Sequence, residues 1–332
     1  MARRSPQSDG FDPRDLDAAI DASVTGFKRL DRRARIVVLI VLLCAAIVAA
    51  VIYLRYQQSL QTPAPHASNI NLLLGNPSGA NAADRNNYLM IKPYFVLSYN
   101  NDRGEPNWVS WQVTVAALGD APRKQIFDPD PDLPVGFKVV KTSDYAGSGF
   151  DRGHMCPHSD RAANIEMSYS TFVMTNVIPQ APNVNRKAWA QFETYCRDLV
   201  KQHNHLYVIS GPRGEGGTGG KGFKTTIGKS VTVTVPAGCW KVVVVVPEGG
   251  VSDDLAKIDA ATRVIAVDMP NDDTVVGEVW DIYRTTPAAI EVKTGYHFFD
   301  QVRPDVSGAL RQKLDDVSIP PPRPLTHERE PG

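Results

Sequence analysis

Hydrophobic and polar positions along the chain divide it into unlike stretches. Ile36–Leu54 (IVVLIVLLCAAIVAAVIYL) is apolar without interruption. As a helix, its roughly 19 residues reach about 28 Å, the thickness of a bilayer's hydrocarbon core. A buried helix of a soluble protein would show a polar face, and this run shows none. It is therefore read as one transmembrane helix, the chain's membrane partner. A cleaved signal peptide fits less well, because its leader would run to about 35 residues and its apolar core would exceed the usual 7–15. Residues 1–35 form a polar tail, 55–85 a linker containing Thr62-Pro63-Ala64-Pro65, and 317–332 a proline-rich tail. The apolar piece Ile70–Leu74 interrupts the linker and is expected to dock on the folded part.

Between them, residues 86–316 carry the short-period patterns of a globular domain. Tyr94–Tyr99 and Trp108–Ala117 are β-rich and are separated by the turn-forming Asn100-Asn101-Asp102-Arg103-Gly104. Thr171–Ile178 and Leu206–Ser210 are further strand candidates, and the β-branched runs Val231–Val235, Lys241–Val246 and Val264–Val267 are expected to be central strands. Trp189, Phe192, Cys196, Leu199 and Val200 recur at three- and four-residue steps, which predicts a helix over Lys187–Gln202. Ala289–Lys293 predicts a short helix or turn. Residues 118–150 and the glycine-rich Arg213–Gly228 read as loops; the latter lacks the GxxxxGK[ST] order of a phosphate-cradling loop.

Charge changes this picture in one respect. The chain has 36 basic and 36 acidic residues, which argues against a basic coat protein for nucleic acid. Their distribution is asymmetric, however. Lys28, Arg29, Arg32, Arg33 and Arg35 crowd the N-terminal flank of the apolar run, and beyond it only Arg55 precedes Arg85. By the positive-inside rule the N-terminus is cytoplasmic and the globular domain lies in the periplasm or outside the cell, with a mitochondrial intermembrane space the less favoured alternative. Cys44, Cys156, Cys196 and Cys239 show no CxxC spacing, so a structural zinc site is not expected. Outside the cytoplasm, a Cys196–Cys239 or Cys156–Cys239 bridge remains open.

Candidate chemistry concentrates in Asp151-Arg152-Gly153-His154. His154 is the candidate base, because an imidazole can be neutral near pH 7, and on a strand Arg152 shares its face. Thr175-Asn176-Val177-Ile178-Pro179-Gln180 and Asn185-Arg186-Lys187-Ala188-Trp189 follow, then Glu193 and Arg197 at helical i, i+4 spacing. At 3.6 residues per turn, Asn185 lies about 80° from Glu193 and broadly on its side. Singly, Glu193–Arg197 reads as a surface ion pair and Asn185 as a helix N-cap. Together with the histidine they suit a phosphodiester held against a hard metal ion and a base.

These motifs and their gaps resemble the DNA/RNA non-specific endonuclease family. The resemblance extends to Trp108–Trp111, Tyr207–Pro212, Val235-Pro236, Trp240-Lys241-Val242 and Thr294-Gly295 with Phe298-Phe299, which is about residues 90–305. It implies an α+β fold, a central antiparallel β-sheet flanked by helices with a ββα-metal motif. By the same resemblance His154 is the general base, Asn185 the direct ligand of one Mg²⁺ (or Mn²⁺), and Glu193 an organiser of water on that ion. Arg152, Arg197 and Arg123 would hold phosphate, and Asn176 would support the geometry. DNA and RNA are the implied substrates and a homodimer an implied assembly. Met155-Cys156-Pro157-His158 departs from the family pattern, and His158 is not read as a second ligand. Two alternatives stay open: a silent nucleic-acid-binding protein of this fold, and a phosphodiesterase of small nucleotides.

Overall fold

A computed structural model describes residues 69–249, 253–274 and 279–319, with 31–34, 36, 37, 41 and 50. The chain divides into two units, Met1–Thr62 and Pro63–Gly332, and everything below concerns the second. The expected transmembrane run Ile36–Leu54 lies almost wholly outside the described residues; among these, no helix is long and apolar enough to cross a membrane. Residues 320–332 of the proline-rich tail also lie outside them.

Strands are numbered in chain order: β1 (Tyr88–Ile91), β2 (Val96–Asn100), β3 (Glu105–Val113), β4 (Asp151–His154), β5 (Val177–Gln180), β6 (Asn204–Arg213), β7 (Gly238–Pro247), β8 (Arg263–Pro270) and β9 (Arg284–Thr285). Seven of them form one antiparallel sheet in the order β1-β2-β3-β6-β7-β8-β9. Antiparallel sheets commonly leave one face to water; this one is covered on both. On one face Trp108, Ile209, Val242 and Val244 pack with Leu72, Ile290, Phe298, Val306 and Leu310. On the other, Trp111, Val208, Val243 and Ile265 pack with Trp189, Phe192 and Cys196. That double cover explains why β7 reads as an unbroken valine run, each fully buried side chain contributing about 1.5–3 kcal/mol.

The longest helices are α1 (Ala190–Lys201), α2 (Pro287–Thr294) and α3 (Pro304–Arg311). In α2, Thr286 caps the start by accepting from the Ala289 N–H, and Pro287 follows where no intrahelical N–H is needed. Gly295, at φ 75°, closes the helix in the left-handed conformation.

Several expectations are corrected. Val231–Val235 is not a central strand: only Val233–Thr234 is extended, paired with Thr226–Ile227 outside the main sheet. Its apolar side chains instead pack with Phe127, Phe172 and Val177 in a satellite cluster. The Thr171–Ile178 candidate is a helical turn over Met174–Asn176 running into β5. The glycine-rich stretch holds a small hairpin, Gly217–Gly219 with Gly222–Lys224. The latter part of the expected linker is packed, with Leu72 and Leu74 buried as their apolar character foretold. Cys156, Cys196 and Cys239 are buried free thiols rather than bridge partners.

Candidate active site

β4 and β5 form a separate two-stranded ladder, with Arg152 opposite Pro179 and His154 opposite Val177. Gly153 lies between the two functional side chains for a steric reason. A Cβ there would fall 2.2 Å from the amide oxygen of Gln180. That amide crosses the strand to donate to Cys239 Sγ at 3.2 Å. Glycine thus lets β5 close against β4.

His154 and Arg152 share a face, as the alternation requires. The His154 ring lies 4.8 Å from the Phe127 ring and 4.8 Å from Phe172, edge-on to the latter. The Arg152 guanidinium sits 5.4 Å from the Phe127 centroid, and that of Arg123 sits 5.3 Å from Phe172. Two phenylalanines therefore seat one imidazole and two cations. Burial first, then the charges of Arg123, His158, Lys241 and Arg152, hold the His154 pKa well below its ordinary value. The ring is neutral at pH 7, and its buried Nε2 has no protein partner. A ring nitrogen so placed can take a proton in the tautomer that leaves it unprotonated.

Asn185 is not an N-cap. It lies in a π-helical turn, Val184–Trp189, that leads into α1. Such wide turns are rare and concentrate at functional sites; here the turn also breaks the uniform 3.6-residue phase from which the 80° offset was reckoned. Asn185 Nδ2 donates to Asp151 Oδ2 at 3.0 Å, while Arg186 grips the same carboxylate at 2.7 and 2.8 Å. With the amide nitrogen engaged, the oxygen is the atom left for a ligand. One hard oxygen donor suits a largely hydrated Mg²⁺, which surrenders water reluctantly. Among the described residues no group of three His, Cys, Asp or Glu is arranged to hold a metal, and an ion bound through Asn185 and water asks for none.

Glu193 and Arg197 do not pair with each other, contrary to the i, i+4 expectation. Glu193 accepts from Lys241 Nζ at 2.6 Å, and Arg197 reaches Asp160 at 3.2 Å. Trp111 joins both pairs, its indole N–H donating to Asp160 at 3.0 Å and its ring lying 5.8 Å from Lys241 Nζ. Trp189 lies closer to that ammonium, at 4.1 Å. Asn176 faces inward. Fully buried, it accepts from Cys156 N at 3.0 Å and donates to the Cys156 and Thr171 carbonyls at 2.9 Å. It fixes the chain beyond His154.

The sequence reading passed over Lys241, Asp160, Phe127 and Phe172. For Lys241 a signal existed: a lysine at the head of a valine run, at a position the alternation buries, needs a partner. For Asp160 none did, because its partner lies 37 residues further along the chain.

A neutral buried imidazole flanked by guanidiniums, on a two-strand ladder followed by a helix that brings carboxylate and amide oxygen, is an arrangement suited to an anionic phosphodiester. Residues 77–305 match the DNA/RNA non-specific endonuclease family, and the chain belongs to that family. It is similar to a nuclease of Nostoc sp., 42% identical over 277 residues, covering 82% of this chain and 97% of that protein. Human mitochondrial nuclease EXOG is 35% identical over 153 residues, 44% of this chain and 41% of that one. The mitochondrial relatives are thus matched over part of their length. Among solved structures, a chain of the EndoG/EndoGI complex superposes with a TM-score of 0.58 at 25% identity, covering 72% of this chain and 94% of that chain. The protein is a nuclease with the expected α+β fold and central antiparallel sheet.

Proposed function

We propose that this chain is a membrane-anchored, Mg²⁺-dependent endonuclease that cuts DNA and RNA with little sequence preference. The observation that carries the reading is the unpartnered Nε2 of a neutral His154, seated between Phe127 and Phe172 beside Arg123 and Arg152. His154 takes the proton of the attacking water. Arg152 and Arg123 hold the phosphate and meet the charge that grows on it, and Arg197 adds to them from α1. Asn185 would hold the ion through its amide oxygen, and Glu193 would orient water beside it. When bound, Mg²⁺ (Mn²⁺ serving as substitute) supplies Lewis-acid stabilisation of the phosphorane and the leaving oxygen. Contacts of this kind read phosphate, which carries no direct base information.

The uninterrupted apolar run Ile36–Leu54 and its basic flank support the anchor, with the N-terminus cytoplasmic and the catalytic unit periplasmic or extracellular. A homodimer is the assembly we assign by family likeness. The test is plasmid nicking by the purified chain with and without Mg²⁺, beside His154→Ala. Mg²⁺-dependent nicking that disappears in the variant is expected. Absence of nicking by folded wild type in both Mg²⁺ and Mn²⁺ would overturn the endonuclease reading.

A further inference from the structure

Away from the catalytic centre, three lysines gather around a cleft that no step above uses. The cleft, of about 330 Å³, is lined by Asp144, Ser148, Lys224, Thr226, Lys229 and Thr232 among others. Asp144 is its one acidic lining residue, and its single negative charge is outnumbered by the three lysines. It accepts from the backbone N–H groups of Lys141, Lys229 and Ser230 at 2.9, 2.9 and 2.7 Å, and from the Ser230 hydroxyl at 2.8 Å. Among the described residues, the side chains of Lys224 and Lys229 have neither hydrogen-bond nor ion-pair partner. Lys221, on the same hairpin as Lys224, donates to the Gly147 carbonyl at 3.0 Å, a neutral acceptor that leaves its charge uncancelled. The cleft is thus an electropositive recess with hydroxyls on its walls, fitted to an anion.

Its position relative to the catalytic strand is fixed by close packing. The hairpin Gly217–Lys224 sits on the residues just before β4, with Gly220 N–H donating to Gly149 O at 2.8 Å. A Cβ on Gly219 would lie 2.4 Å from that same carbonyl, so the approach requires glycine. From Ser148 in the cleft wall to Arg152 the chain spans at most about 14 Å, even fully extended. One nucleic-acid strand carries a charge about every 3.4 Å along its axis. A strand leaving Arg152 toward the cleft would cover that span in about four nucleotides.

We propose that this cleft is a second phosphate subsite, in which Lys224 and Lys229 receive a backbone phosphate of the substrate strand a few nucleotides from the bond being cut. The inference rests on the nuclease reading and extends it to the flanking substrate. It makes strand length, rather than base sequence, the property the enzyme senses beyond the scissile phosphate.

The test uses the full chain and the double variant Lys224→Ala/Lys229→Ala, both sites being at the surface. Three substrates are compared: plasmid DNA, a single-stranded 20-mer, and bis(p-nitrophenyl) phosphate, which has no flanking phosphate. For the two long substrates KM rises about tenfold with kcat unchanged, and both parameters hold for the small diester. In a His154→Ala background, the slope of log Kd against log salt for duplex binding falls by about 1.8, the contribution of two released counterions. Unchanged KM and salt slope would overturn the proposal, as would an equal loss on the small diester, which would place the effect at the catalytic centre. Protection of wild type, but not the variant, by millimolar inorganic phosphate without any change in DNA KM would assign the cleft to free phosphate and also overturn it. A wild type that cleaves none of the three substrates marks failure of the nuclease reading itself, a different result from any of these.

Discussion

The two halves of the active site are built on opposite principles. The β4 half seats His154, Arg152 and Arg123 on the rings of Phe127 and Phe172. Here burial and the neighbouring cations keep the imidazole neutral. The α1 half does the reverse, giving each charge an opposite one: Lys241 for Glu193 and Asp160 for Arg197. An unpartnered imidazole nitrogen stays open to a proton, whereas a carboxylate held by an ammonium is fixed in place. The comparison breaks first at His154. His154→Ala should lower kcat about 10²–10⁴-fold, the range of general acid–base catalysis, with little change in KM. Steady-state nicking rates at saturating substrate measure it, and a smaller loss would transfer the base to another group.

The α1 half is tested by a double-mutant cycle. Lys241 is 2% exposed at its side chain and Glu193 14%. Removing one partner of such a pair costs about 3–5 kcal/mol, because the other charge stays buried and alone. Lys241→Met should therefore lower the unfolding free energy in urea by about 3 kcal/mol. Adding Glu193→Gln should restore part of that loss. The same cycle in kcat should be non-additive, with the double variant no slower than Glu193→Gln alone. Additive losses in both quantities would show that Lys241 acts independently of Glu193.

Legibility in the sequence followed how far each signal is local. The strands Lys241–Val246 and Val264–Val267, the helix of Trp189, Phe192 and Cys196, and the burial of Leu72 and Leu74 by their apolar character were all readable from spacing. Arg152 and His154 shared a face because strand geometry demands it. What misled was rhythm without partners. The β-branched Val231–Val235 has the composition of a central strand, but Pro236 and the glycines around it break the ladder, and only two residues pair. The i, i+4 spacing of Glu193 and Arg197 named a pair that Lys241 and Asp160 dissolve from elsewhere in the chain. Asp151 was legible as a motif member but not as the anchor that turns the Asn185 amide, since that contact depends on a π-helical turn no periodicity reports.

A smaller effect sharpens the comparison at the ladder itself. Gly153→Ala puts a methyl group into the Gln180 side chain, whose amide and Cβ both lie within 2.6 Å of that position. Overpacking of this kind costs about 1–3 kcal/mol. Gln180→Ala in the same chain removes the amide but keeps the Cβ, so it should recover only the part of the loss that the amide causes. Thermal unfolding of the three variants measures this. No recovery would mean that the strand backbone, rather than the glutamine, gives way.

The smallest effect is a pH slope. The folded protein holds His154 neutral to well below 6.5, while the unfolded chain takes up a proton near 6.5. Above that pH both states are neutral and His154 contributes no slope. As pH falls below it, the unfolded state binds the extra proton, and stability declines until the folded pKa is passed. Glu105 works in the opposite sense. Burial outweighs its Arg103 partner and raises its pKa from 4.5 to about 8. Its stabilising contribution is complete below pH 4.5 and is lost as pH rises through about 8. The slopes have opposite sign and different windows, so subtraction separates them. The difference in unfolding free energy between wild type and His154→Asn should be flat above pH 6.5 and shrink below it. For Glu105→Gln the difference should be flat below pH 4.5 and shrink up to about 8. A His154 difference that shrinks only above pH 6.5 would mean the imidazole is held charged, and the β4 half would then lack the base its geometry provides.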